Sequence, residues 1–74
     1  MNNISQLFRH IYFDEWKTGL NCICYIDNNL VELGTVINKK LVGRKCDEDL
    51  EVVFLKDNKV NKQTITVGTK CMLY

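Results

Sequence analysis

The residues of this 74-residue chain best suited to chemistry are four cysteines (Cys22, Cys24, Cys46 and Cys71) and one histidine, His10. Cys22-x-Cys24 falls within a strand-like run, so both thiols point to one face, roughly 7 Å apart. With Cys46 and Cys71 brought in by folding, these thiols have the donor set of a four-thiolate metal site. The spacing lacks the paired Cys-x-x-Cys knuckles typical of such sites. Cysteine otherwise behaves as a small buried hydrophobe. The expectation is therefore four buried, reduced thiols with no metal. The opening MNNISQLF has neither the basic region nor the apolar region of a signal peptide, so a disulfide framework is not expected.

No catalytic constellation emerges from the spacing. A Cys–His dyad needs an exposed thiol beside the imidazole and a third group to orient it. Nothing in the spacing points to such a thiol for His10, which lies between Arg9 and Ile11. Asp14 with Glu15, and Asp47 through Asp49, are adjacent carboxylates of the kind that form solvated surfaces. Glycines 19, 34, 43 and 68 are too scattered for a phosphate-binding loop. The chain is expected to be non-enzymatic, with no small-molecule cofactor.

Charge narrows the classes further. Ten Lys and Arg against nine Asp and Glu leave a formal net charge of +1, too little for a DNA-coating protein. A local basic set remains. Lys39, Lys40, Arg44 and Lys45 would lie in one loop, with Lys59 and Lys62 in a neighbouring turn. If both segments meet at one end of the fold, they form a basic face for nucleic acid, which is the alternative function. No apolar run reaches about 18 residues, so no membrane span is expected. The absence of Ala and Pro, beside eight Asn, eight Lys and only two Arg, matches AT-rich coding. That composition points to a low-GC bacterium, its phage or a similar virus. With neither a signal peptide nor a membrane span expected, the expected location is cytoplasmic.

The elements that must position these residues begin with an expected helix over 1–18. Ile4, Leu7, Phe8, Ile11, Tyr12 and Trp16 recur mostly at three- and four-residue steps. Asn3 and Gln6 make a capping-box pattern, and Gly19 can end the helix. Two strand-like runs follow, 20–27 and 30–38, joined through Asn28-Asn29 as a two-residue turn. That register sets Ile26 opposite Val31, Cys24 opposite Leu33, Cys22 opposite Thr35 and Leu20 opposite Ile37. Residues 38–49 then read as a long connection around Gly43. Residues 50–56 resume strand character, with Leu50, Val52 and Phe54 on one face. Asp57-Asn58 starts a turn, and a loop over 57–60 would pair Val52 with Ile65 and Leu50 with Val67. Strands over 64–67 and 70–74 complete the chain, with Cys71 and Leu73 inward.

The fold class is mainly β (α+β): a single domain over 1–74, with the 1–18 helix capping a sheet over 19–74. About five antiparallel strands joined by tight turns suggest a small bent barrel or curled sheet. In element order this is similar to the SH3-like small barrels, though none of their sequence signatures is present. A chain this short buries only roughly 60% of its unfolded surface, so little apolar area can be spared from the core. Apolar residues on second faces therefore point to a partner. The leading expectation is an interaction module that binds another protein, or a second copy of itself. A phage or mobile-element accessory protein modulating a host factor fits this description. The partner-binding residues expected are Tyr12, Trp16, Tyr25, Val53 and Leu55, although the first reading of the stripe that holds Tyr12 and Trp16 is that it closes the core against the sheet.

Overall fold

The structure, a computed structural model, describes residues 7–43 and 49–74. It is mainly β. Strands β1 (Asn21–Ile26), β2 (Asn29–Leu41), β3 (Asp49–Lys56), β4 (Lys59–Thr66) and β5 (Lys70–Leu73) form one antiparallel sheet in the order β4-β3-β2-β1-β5. The sheet is open, not the closed barrel that the strand count allowed.

Two matching turns set the register. Asp27-Asn28 and Asp57-Asn58 all adopt positive φ, between 51° and 64°. Asn and Asp tolerate that region because their short polar side chains can hydrogen-bond locally. Each pair forms the two-residue loop of a hairpin, setting Ile26 opposite Asn29 and Lys56 opposite Lys59. The first turn therefore lies one residue earlier than the expected Asn28-Asn29, and Cys24 faces Val31 instead of Leu33. In the second hairpin Val52 faces Gln63, and Leu50 faces Ile65 instead of Val67. Near the turns both corrections are shifts of two residues, which leave side chains on their expected faces. Farther along β2 a bulge intervenes, so Cys22 lies opposite Gly34 instead of Thr35, and Val36, not the expected Ile37, is buried. Cys24, Val52 and Ile65 are accordingly buried, as the alternation required.

The expected connection over 38–49 is also corrected, because β2 continues to Leu41 and pairs with β3 from Thr35 to Leu41. Two bulges bend this long strand. One lies opposite Cys22 and Ile23, and the other between Val36 and Asn38. At the first, Gly34 has φ 105°, and a Cβ there would stand 2.5 Å from the carbonyl oxygen of Leu55. Only glycine allows the strands to approach this closely. The bulges turn Leu33 and Val36 inward, where they pack with Trp16, Leu50, Val52 and Phe54 on one face of the sheet.

The N-terminal helix is not found in the described part of 1–18; Asn3, Gln6 and Ile4 lie outside it. Instead the described residues from Phe8 onward run largely extended, with a 3-10 turn over Phe13–Glu15. Arg9 exchanges two backbone hydrogen bonds with Cys71, at 3.0 and 2.8 Å, on the outer side of β5. A short isolated helix is marginal in water, whereas a sheet edge offers unpaired N–H and C=O groups. The expected apolar stripe consequently divides. Ile11 and Trp16 enter the core, with the indole N–H donating to the Ile11 carbonyl at 3.1 Å. Phe8 instead packs edge-on against Tyr25, ring centroids 4.7 Å apart, and Leu7 is exposed.

Candidate functional site

Residues directly opposite one another in a sheet share a face, so the register identifies what lies opposite the core. On β1, Ile23 and Tyr25 face away from it, beside Glu32 and Leu30 of β2 and Met72 and Lys70 of β5. On β3, Leu55 stands between Thr35 and Val60, and Val53 between Asn38 and Lys62. Tyr25, Leu30, Leu55 and Val60 are exposed, and Ile23, Val53 and Met72 are half-buried. The second face thus carries two apolar patches, one around Tyr25 and Leu30 and the other around Leu55 and Val60. Further from the hairpin turns it becomes charged: Lys40 lies opposite Glu51, which pairs with Lys62 at 3.6 Å.

The five expected partner-binding residues are not brought together. Tyr25, Val53 and Leu55 share this face. Trp16 is a core residue, as packing of its stripe against the sheet required, and not a partner-binding one: it is 1% exposed and packed edge-on against Phe54 at 6.1 Å. Tyr12 is exposed on the N-terminal arm, its ring edge-on to His10 at 5.0 Å. Sequence reasoning missed Leu30 and Val60. The signal was present in the two Asp-Asn turns, which set Leu30 opposite Tyr25 and Val60 opposite Leu55 once each loop is given two residues.

The described basic residues do not form one surface. Lys39 lies on the core side, where its ammonium donates to the Phe13 carbonyl at 2.7 Å and sits 4.3 Å from the Phe13 ring centre. Lys40 and Lys62 lie on the second face, and Lys59 alternates to the side opposite Lys62. Arg44 and Lys45 lie outside the described residues.

The ionisable groups of the arm serve each other. Arg9 and Glu15 form an ion pair, and Glu15 also accepts the Tyr12 N–H at 2.9 Å. The guanidinium hydrogen bond, followed by that backbone N–H, lowers the Glu15 carboxyl to about 2. Both His10 ring nitrogens are buried without a hydrogen-bond partner among the described residues. A groove of about 670 Å³ runs between the arm and β5, over Leu7, Ile11, Leu20 and Leu73, with the Arg9–Glu15 pair in its wall.

The cysteines depart most from expectation. Cys24 and Cys71 are joined by a disulfide between β1 and β5, so the four thiols are not all reduced. Cys22 is a free thiol with its sulfur 3.5 Å from that of Cys24, and all three residues are 0% exposed. Burial pushes the Cys22 thiol up to about 12. Cys46 lies outside the described residues. Among the described residues no helix is long and apolar enough to cross a membrane. No protein-family model, curated protein or solved structure matches the chain.

Proposed function

We propose that this chain is a non-enzymatic module that binds another protein through the second face of its sheet. A second copy of the chain is the simplest occupant. The observation that supports this reading is the pair of apolar patches, Tyr25 with Leu30 and Leu55 with Val60, left exposed opposite a complete core. A domain of this size has little apolar area to spare, and contiguous exposed apolar residues rimmed by polar ones mark interaction sites. Thr35 and Glu32 separate the patches, and the Glu51–Lys62 pair borders them, giving the polar rim typical of such interfaces. Among the described residues, the Arg9–Glu15 pair and His10, whose ring nitrogens have no hydrogen-bond partner there, form no nucleophile–base arrangement, which supports the non-enzymatic part of the reading. The composition is in keeping with a phage or mobile-element accessory protein as the biological setting.

Site-specific photo-crosslinking tests this reading. A photoreactive side chain at position 55 should give a discrete protein adduct, and the same probe at exposed Lys17 should not. No adduct from position 55, or equal adducts from both positions, would overturn it.

A further inference from the structure

Three sulfurs, those of Cys22, Cys24 and Cys71, lie within 4.8 Å of one another at the centre of the β1–β5 pair. A disulfide needs only two of them. The third, from Cys22, sits 3.5 Å from Cys24 Sγ because residues i and i+2 of a strand share a face. Cys71 enters from directly opposite Cys24. We propose that, once the disulfide is reduced, these three sulfurs form a buried binding site for one copper(I) ion.

The donor set selects the ion. Sulfur alone favours soft metals and excludes magnesium, calcium and manganese. Zinc closes a four-coordinate shell, with water in the open position where the protein supplies only three ligands. Here all three residues are 0% exposed, and no fourth ligand joins the cluster among the described residues. Copper(I) accepts two or three sulfurs and needs no water.

The chemistry balances in two steps. A dithiol reductant supplies two electrons and two protons. The Sγ–Sγ bond of Cys24 and Cys71 breaks, two thiols form, and the reductant becomes a disulfide. Copper(I) then bonds to the Cys24 and Cys71 sulfurs as thiolates, and their two protons pass to solvent. Cys22 keeps its proton and donates its S–H to the Cys24 thiolate 3.5 Å away, holding that ligand as its outer-shell partner. The site then carries one net negative charge. A second would be costly, because no charged side chain is buried nearby to compensate it among the described residues.

The test is anaerobic titration of the full chain with copper(I) held by a chromophoric chelator, read by chelator absorbance and native mass spectrometry. The dithiol-reduced protein should take one copper from the chelator, and the disulfide form none. Cys22→Ala should keep that stoichiometry but bind at least about tenfold more weakly, since loss of an outer-shell partner costs roughly 10–100-fold. Cys71→Ala should lose the copper, whereas Cys46→Ser should bind as the wild type does. Equal copper uptake by the reduced and disulfide forms would overturn the proposal. So would unchanged affinity in Cys22→Ala, a reading that does not depend on whether Cys71→Ala folds.

Discussion

Cys24 and Cys71 stand directly opposite each other on β1 and β5, joined across 47 residues of sequence. The bond fixes the edge strand that the N-terminal arm in turn pairs with through Arg9. Closing a loop of this length removes unfolded-state entropy worth about 4 kcal/mol in the chain-entropy account. Cys71→Ala should therefore lower the unfolding free energy by about 2–4 kcal/mol, a large share of the total for so small a domain. Urea denaturation of wild type and variant, both without reductant, measures the difference.

The first turn makes a sharper demand. Asn28 has φ 64°, while Asn29 begins β2. A β-branched residue resists positive φ, so Asn28→Val should destabilise the fold by about 1–2 kcal/mol. Asn29→Val, one position on, should cost much less, because strands favour valine. Denaturation midpoints of the two variants should differ in that order.

Gly34 is constrained twice, by its φ of 105° and by the Leu55 carbonyl 2.5 Å from where a Cβ would stand. Gly34→Ala should cost about 2–3 kcal/mol. Gly19 also has positive φ but open space around it, so Gly19→Ala should cost less. Thermal melts of both variants check the contrast.

The Arg9–Glu15 pair sets an acid-side dependence. Glu15 titrates at about 2 in the folded chain, below the ordinary glutamate value near about 4.3. A depressed carboxyl contributes stability that is present above its unfolded value and is lost as pH falls through its folded one. The contribution should therefore decline between about pH 4.5 and pH 2. Because the pair is solvent-exposed, it should amount to under about 1 kcal/mol at neutral pH. In Arg9→Ala, carbon-detected NMR should show the Glu15 carboxyl titrating back toward the ordinary value.

The strands were legible in the sequence wherever one face had to be buried. Leu50, Val52 and Phe54 alternate, and the structure buries all three. The registers were not legible to within two residues. A shift of two keeps each side chain on its face, and Asp27-Asn28 and Asn28-Asn29 serve as turns by nearly the same chemistry. The helix expectation failed because three- and four-residue spacing cannot reveal that Phe8 and Trp16 separate, one onto Tyr25 and the other beside Phe54. That outcome depends on the edge of β5, which lies 62 residues from Arg9. The Cys24–Cys71 pairing was hidden for the same reason, since it follows from β5 docking beside β1 at the far end of the sheet. On the second face Tyr25, Val53 and Leu55 were readable from alternation, whereas Leu30 and Val60 needed the correct turns.

The most direct test of the second face is sedimentation equilibrium on wild type and the Leu55→Ser/Val60→Ser double variant over a wide concentration range. Both residues are exposed and outside the core, so the variant should stay folded with nearly the wild-type melting temperature. The wild type should self-associate as concentration rises while the variant remains monomeric. Equal association of the two proteins, or a wild type that remains monomeric throughout, would contradict it.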